Sequence, residues 1–414
     1  MINKSIILAS VLVFAIGGIV YLESGKVRLT SDFSGSQNEI PISTVLENRG
    51  EVASSPTTSS LTTSEEPQKP KVVRGDRISE KMKKYGRVKD ISTPDGFINL
   101  PNGQADFKLA DIVGKKVILI DFWTYSCINC QRTTPYLNAW YQKYKDQGLE
   151  IVGIHTPEFD FEKNYDNVSR ATKDIGIKFP VVLDNDYSTW TAYQNRFWPR
   201  KYLIDIDGFI IYDHIGEGAY DETEKKIQEA LNERSKVLGM QTTILSGTVL
   251  VNDVTVSSAS PETYFGSLRN ENFGNGTPGK LGTEFLSESG VVLPNKLYLM
   301  GKWNLTPEYA ETSADVGSGQ VGSDRINYRY QAKGVYLVAG SANDREIEIE
   351  VLRDGQSLST ASAGSDVIFK NGRSYVRVKE NRLYRLIDDK NSEIHLLELI
   401  ISSPGLQAYA FTFG

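Results

Sequence analysis

Short apolar runs alternate with helically spaced apolar positions through the middle of the 414-residue chain. Val117–Trp123 is almost entirely apolar and precedes a turn-like stretch, which is typical of a buried strand. After residue 130, aromatic and apolar side chains recur at helical spacing up to Gly148, which predicts a helix that ends at a glycine. The alternation continues, with strands predicted at 149–154, 179–183, 201–205 and 209–213 and helices at 161–175, 189–196 and 220–234. This order predicts one mixed α/β sheet with helices on both faces, over residues 93–236.

The C-terminal part has a different pattern, in which short alternating runs are separated by turn residues. The turn dipeptides Asp354-Gly355 and Asn371-Gly372 are the strongest of these signals. Many short strands joined by such turns are typical of a β-sandwich. We therefore predict an all-β sandwich over residues 240–414, with strands at 326–330, 334–339, 346–352, 374–378, 382–386, 394–400 and 408–413.

The N-terminus carries 18 consecutive uncharged residues, Ser5–Leu22, which are long enough to span a bilayer. A cleaved signal peptide and an uncleaved anchor are the two interpretations. The bulky residues that end the run favour a transmembrane signal anchor at residues 1–22. A stretch rich in Ser, Thr and Pro follows, so residues 23–92 are predicted to be a disordered linker with one short helix near Ile78–Tyr85. Either interpretation exports the rest of the chain and places it outside the cytoplasm.

Composition removes several classes of function. The formal net charge is −6, which gives no support to a nucleic-acid-binding surface. The chain has two cysteines and three histidines, too few for a disulfide scaffold. A zinc site would need two more nitrogen or sulfur ligands beside the two cysteines, so no metal is expected.

The two cysteines, Cys127 and Cys130, stand at the start of the first predicted helix after a strand. A helix N-terminus favours negative charge, so a thiol there ionises more easily. A thiolate attacks disulfides, and a second cysteine within one helical turn can displace it from the mixed disulfide. The spacing therefore indicates disulfide exchange, with Cys127 as the attacking residue and Cys130 as the resolving residue.

The run VILIDFWTYSCINC resembles the active-site strand and loop of the thioredoxin superfamily. In that family an acid buried beneath the site takes the proton of the second cysteine, and the resemblance gives this role to Asp121. It also implies that Trp123 lies below the loop. The segment around Trp198 and Pro199 fits the substrate-facing segment of the family, whose proline follows a cis peptide bond.

The phrases GIHTPEFDFE, RFWPRKYLID and LQAYAFTFG resemble the membrane-attached TlpA-like branch, and DipZ-type proteins in particular. That resemblance implies a redox-active disulfide between the two cysteines, with no other cofactor, and protein disulfides as substrates. DipZ-type proteins deliver electrons through a membrane domain, so a chain with one span implies a separate CcdA-like donor. Their C-terminal domain is a jelly roll like a carbohydrate-binding module, which implies a glycan ligand, with Trp303 and Tyr309 as weak candidates for stacking.

Several alternatives stay open at this stage. Asp121 is either the proton acceptor or an ordinary carboxylate at a strand end, and Glu158 is either a second acid near the site or a solvated loop residue. A thiol peroxidase is the rival enzyme, since Thr124 stands three residues before Cys127, although Ile120 occupies the position of the proline that such enzymes use. A surface glycan-binding protein with subsidiary redox activity is the rival from another class.

Overall fold

The computed structural model describes residues 74–101, 104–241, 243–251, 256, 258–287, 290–313 and 324–414. The predicted anchor at 1–22 and the predicted linker up to residue 73 lie outside these residues. Within the described ranges, no helix combines the length and the apolar character that crossing a membrane requires.

A mixed sheet in the order β1-β4-β3-β2-β5-β6 forms the first part of the described chain. β2 pairs with β3 in parallel and with β5 in antiparallel register, as the predicted mixed sheet requires. Each strand and helix predicted for this part is present with ends shifted by a few residues, and only the short β1 was not predicted. The strands are β1 (Gly96–Ile98), β2 (Val117–Trp123), β3 (Leu149–His155), β4 (Val181–Leu183), β5 (Arg200–Ile204) and β6 (Ile210–Ile215). The helices are α1 (Arg74–Lys84), α2 (Ile128–Tyr144), α3 (Tyr165–Ile175), α4 (Ser188–Ala192) and α5 (Tyr220–Val237).

Strand β2 is buried on both faces, which explains its nearly continuous run of apolar residues. Alternate residues enter two different cores, with Leu119 and Trp123 on one face and Ile120 on the other. The first core packs against α2, α3 and α5. The second is covered by Trp190 of α4 and by apolar side chains of residues 88–113. Asp121 lies on the first face, so this sheet buries a carboxylate beneath the start of α2.

The predicted linker to residue 92 is wrong at its end, because helix α1 and the residues after it belong to the folded domain. Arg77 forms two hydrogen bonds with the Asp207 carboxylate, at 2.9 and 2.7 Å. The Lys81 ammonium lies 2.6 Å from Asp205, 3.0 Å from Asp207 and 2.5 Å from Glu233. The sequence shows only a basic amphipathic segment here, because its acidic partners lie more than a hundred residues further along the chain.

Replacing Lys81 by alanine is expected to lower the free energy of unfolding by about 3 kcal/mol, because it leaves the buried Asp205 carboxylate without its cation. Chemical denaturation measures this change. The matched control is Lys83→Ala, since Lys83 and its partner Glu80 are 71% and 74% exposed. That exposed pair is expected to contribute less than about 0.5 kcal/mol. Equal effects of the two substitutions would contradict the structural role of Lys81.

An eleven-stranded, hydrogen-bonded sheet makes up the second part of the described chain, which confirms the all-β prediction. Two predicted strand pairs are each one long strand in the structure, because register shifts such as the one between Ala332 and Gly334 interrupt the pattern without ending the pairing. The jelly-roll description stays a prediction. The strands are β7 (Thr263–Tyr264), β8 (Gly282–Leu286), β9 (Leu297–Leu305), β10 (Ala310–Thr312), β11 (Asp324–Ser341), β12 (Ile347–Arg353), β13 (Gln356–Ser357), β14 (Val367–Lys370), β15 (Arg373–Val378), β16 (Arg382–Ile401) and β17 (Leu406–Phe413).

The two predicted turn dipeptides join neighbouring strands of this sheet. Asp354 and Gly355 have φ of +53° and +76° between β12 and β13, and Asn371 and Gly372 have +52° and +76° between β14 and β15. Two consecutive residues at positive φ form the tight turn that matches strand twist, and Asp, Asn and Gly adopt it most readily. Local turn chemistry thus set these hairpins.

Candidate active site

The two cysteines lie at the first turn of α2, as predicted. Cys127 is the residue that caps the helix, and its Sγ accepts a hydrogen bond from the backbone N–H of Cys130 at 3.4 Å. Cys127 is half-buried, whereas Cys130 is 2% exposed. Both are free thiols in the structure. A protein disulfide can therefore reach the first sulfur but not the second.

Cys130 is held in its protonated form. Burial raises the pKa of its thiol well above the ordinary value, and its hydrogen bond to the Cys127 sulfur and the nearby Asp121 charge raise it further. A thiol in this state is a poor nucleophile until a base removes its proton. The geometry thus assigns the two sulfurs different tasks.

Asp121 lies beneath the pair and is 2% exposed. Its Oδ1 has no hydrogen-bond partner among the described residues, and burial raises the pKa of the carboxyl to about 7. The ammonium of Lys201, 4.0 Å from Oδ1, opposes that rise. A carboxyl that titrates near neutral pH can both accept and return a proton.

Lys201 is a site residue that the sequence analysis missed. It is fully buried on β5, directly opposite Asp121 in the register with β2, and its ammonium also donates to the Gly216 carbonyl at 3.2 Å. Burial lowers the pKa of this lysine. A lysine that opens the apolar strand KYLI was the available signal, but the pairing of β5 with β2 had to be known to use it.

Pro199 follows a cis peptide bond with Trp198, as the resemblance implied. The β2–β5 register pairs Phe122 with Arg200, so Pro199 stands at the end of β2 where the cysteine loop begins. The Trp198 indole donates to the Thr156 carbonyl at 3.0 Å. Trp198 and Cys127 both pack against the hydrophobic core that contains Cys130 and Trp123.

Trp123 is buried below the loop and makes an edge contact with His155, with ring centroids 5.0 Å apart. Gly153 permits this placement, because a Cβ there would lie 2.8 Å from the Trp123 Nε1 atom. Burial lowers the pKa of His155 to about 3, so its ring stays neutral at physiological pH. His155 therefore places no positive charge beside Trp123.

Glu162 is a second residue that sequence reasoning missed. Its carboxylate is fully buried and accepts from the Ser126 N–H at 3.2 Å and hydroxyl at 2.6 Å. It also accepts from the backbone N–H groups of Glu158 and Phe159, at 2.6 and 3.1 Å. Burial raises the pKa of this carboxyl, and the Ser126 hydrogen bond opposes the rise. Glu162 thereby fixes the residue before Cys127.

Glu158 makes its contacts with the C-terminal sheet. Arg269 forms an ion pair with its carboxylate at 2.7 Å, and the Tyr264 hydroxyl lies 3.0 Å from it. The side chain is only 11% exposed, so the solvated-loop alternative is wrong. The role of Glu158 as a binding residue of the site stays a prediction.

One of the two candidate sugar-stacking residues presents no open ring face. Trp303 is 0% exposed in the core of the C-terminal sheet, and its indole donates to the Met300 carbonyl at 2.9 Å. Tyr309 packs against Tyr409, with ring centroids 5.0 Å apart. Stacking on a sugar needs an accessible aromatic face, so Trp303 is wrong as a candidate.

Two family models match the chain. Residues 88–213 match the AhpC/TSA family, and residues 260–414 match the thioredoxin-like C-terminal domain. ResA from Bacillus anthracis, a thiol-disulfide oxidoreductase by name, is 32% identical over 129 residues, which are 29% of this chain and 71% of ResA. This chain belongs to the thioredoxin-like thiol-disulfide oxidoreductases. The resemblance to this family is thereby confirmed.

Similarity to a second curated relative extends across both parts of the chain. DipZ from Mycobacterium tuberculosis (strain CDC 1551 / Oshkosh) is 34% identical over 330 residues, which are 80% of this chain and 43% of DipZ. The chain thus spans less than half of that relative. A solved thiol-disulfide isomerase from Corynebacterium glutamicum is 16% identical and covers 36% of this chain and 97% of its own, with a TM-score of 0.32, a likeness that has no bearing on function.

Proposed function

We propose that this oxidoreductase exchanges disulfides with protein substrates through Cys127 and Cys130. One observation carries the proposal: the outer sulfur is accessible and caps a helix, while the inner thiol is buried above a carboxyl that titrates near neutrality. Family membership gives the class of reaction, and this arrangement supports the assignment of roles.

In the reducing direction, the Cys127 thiolate attacks one sulfur of the substrate disulfide. A bond forms between Cys127 and that sulfur, the substrate S–S bond breaks, and the leaving sulfur takes a proton from water. Asp121 then accepts the Cys130 proton, and the Cys130 thiolate attacks the Cys127 sulfur. The second substrate sulfur leaves and is protonated. The substrate gains two electrons and two protons, and the protein is left with a Cys127–Cys130 disulfide.

We also propose that the catalytic part lies outside the cytoplasm, held to the cell membrane by one N-terminal span. The uncharged run at Ser5–Leu22 supports this location. Each reduction of a substrate leaves the protein with a Cys127–Cys130 disulfide, so the protein needs a source of electrons outside the cytoplasm. A CcdA-like membrane protein is the proposed donor. Disulfides persist in such compartments, so substrates are available.

The peroxidase alternative is weaker, even though residues 88–213 match the AhpC/TSA family. Thr124 is fully buried, and its hydroxyl lies 3.5 Å from the His155 ring and interacts with Glu162. It is therefore engaged away from Cys127. Glycan binding and the carbohydrate-binding-module-like jelly roll stay proposals that rest on the resemblance to DipZ-type proteins.

Replacing Cys130 by serine is expected to trap substrates on Cys127, because the mixed disulfide forms but its resolving thiol is absent. The full chain is expressed with this substitution, free thiols are blocked, and adducts are separated without reductant and identified by mass spectrometry. Wild-type protein is expected to give few adducts.

The doubly substituted chain, with serine at both cysteine positions, is the matched control and should give none. An absence of reductant-sensitive adducts from the Cys130→Ser chain would contradict the exchange mechanism. Trapped partners drawn entirely from the cytoplasm would contradict the proposed location, while leaving the mechanism intact.

A further inference from the structure

The start of strand β16 lies along the cysteine motif. The backbone carbonyl of Asn381, just before this strand, accepts from the Tyr125 hydroxyl at 3.1 Å, across a separation of 256 residues. The Arg385 guanidinium donates to the Gln131 side chain at 2.7 Å. Tyr125 stands two residues before Cys127 and Gln131 immediately follows Cys130. Residues 381–385 therefore contact both ends of the motif.

Between these two contacts, the C-terminal sheet buries Ile128, one of the two residues that separate the cysteines. Ile128 is 3% exposed and lies in one hydrophobic cluster with Leu383, Val338 and Ala410. These three residues come from neighbouring strands and face one another in register, Leu383 opposite Val338 and Val338 opposite Ala410. They form an apolar row across three strands that packs in the same cluster as Ile128. The side of the motif that carries Ile128 is therefore closed to a partner protein.

A further hydrogen bond ties residues 381–385 to the residue that follows Cys130. Gln131 donates to the Tyr125 carbonyl at 2.8 Å and receives the hydrogen bond of Arg385. An interdomain cleft of about 550 Å³ beside this bridge is lined by Tyr125, Gln131, Leu383 and Arg385, among others. Neither cysteine is among the described residues that line this cleft, so the cleft lies on the flank of the motif.

We propose that residues 381–385 are a specificity-determining wall of the active site. The wall closes one side of the cysteine motif, so that Cys127 accepts disulfides carried on small or extended segments and discriminates against disulfides on folded protein surfaces. The inference rests on the proposed function and narrows its substrate class. Discrimination of this kind arises from excluding the wrong partner as much as from binding the right one.

The test compares kcat/KM of the full chain for two probes: insulin and an unstructured nonapeptide dimer linked by one disulfide. The double variant Leu383→Ala/Arg385→Ala removes the leucine that packs in one cluster with Ile128 and the hydrogen bond from Arg385 to Gln131. We expect the ratio of insulin to peptide kcat/KM to rise about tenfold, because the larger partner gains access. Arg385→Ala alone leaves the apolar row in place and should raise the ratio by a smaller factor, so the test survives if the double variant folds poorly.

Leu397→Ala is the matched control, since Leu397 is a fully buried leucine of the same strand in the core of the C-terminal sheet. Leu397→Ala should lower the stability of the chain without changing the ratio of insulin to peptide kcat/KM. Arg325→Ala, at an exposed arginine, controls for the positive charge that Arg385→Ala removes. A ratio that stays constant in both wall variants, or that changes equally in Leu397→Ala, overturns the proposal. If the wild-type chain reduces neither probe, the proposed function itself fails.

Discussion

Replacing Cys127 by serine is expected to abolish disulfide reduction, with a loss on the order of a thousandfold or more, because a serine hydroxyl does not form the thiolate that attacks sulfur. The insulin turbidity assay and single-turnover mixing with a peptide disulfide both measure the loss. The helix-capping position makes this a local change, since a serine oxygen can accept the same N–H of residue 130 that the Cys127 sulfur accepts.

The fold should therefore survive, and circular dichroism with chemical denaturation checks that it does. Because the peroxidase alternative also uses Cys127, hydrogen peroxide consumption is measured on the same variant and on Thr124→Val. Unchanged insulin reduction by Cys127→Ser would refute the exchange mechanism. Peroxide consumption that depends on both Cys127 and Thr124, with no disulfide exchange, would favour the alternative.

Replacing Asp121 by asparagine is expected to slow resolution of the mixed disulfide by about a hundredfold, the usual scale of general base catalysis. Below its pKa of about 7 the Asp121 carboxyl holds its own proton and cannot take that of Cys130. Above this pH it is a carboxylate and can. The wild-type resolution rate should therefore rise through pH 7, and this rise should be absent from the variant. Stopped-flow measurement of the second, unimolecular step as a function of pH tests both statements.

A stability measurement separates this role from a structural one. Burial raises the folded-state pKa of Asp121 to about 7, so the folded state holds the proton more tightly than the unfolded chain does. The stability that this provides is present below about pH 4 and is lost as pH rises through 7. Asp121→Asn should remove that part of the pH dependence. Asp166→Asn, an exposed acid on α3, should change neither rate nor pH profile. A normal resolution rate in Asp121→Asn would exclude the proton-acceptor role.

The sequence predicted the thioredoxin-like part well because its signals are local. The apolar run of β2, the helical spacing of α2 and the glycine at its end each depend on residues near one another in the chain. The C-terminal part was predicted less sharply, because β11 and β16 keep pairing through register shifts that resemble strand ends in the sequence. The docking of α1 was missed for the opposite reason, since its acidic partners are distant in sequence.

The candidate site divides in the same way. Its cysteines and the acid beneath them were visible, because a CxxC after a strand and a carboxylate within an apolar run are unusual patterns in a short window. Lys201 was not visible, because its importance depends on the β2–β5 register. Nor was Glu162, because an acid near the start of a predicted helix gives no sign in the sequence that it is buried against Ser126.

By itself the sequence determined the reactive pair, the strand and helix that hold it, and the acid below it, because covalent order and hydrophobic periodicity fix such features over a few residues. Only the tertiary structure decided which side of the pair is open. Ile128 is covered by strands that follow it by more than two hundred residues, and Arg385 reaches Gln131 across 254 residues. Contacts of that range depend on how two separate cores pack together, for which no short stretch of sequence carries a signal.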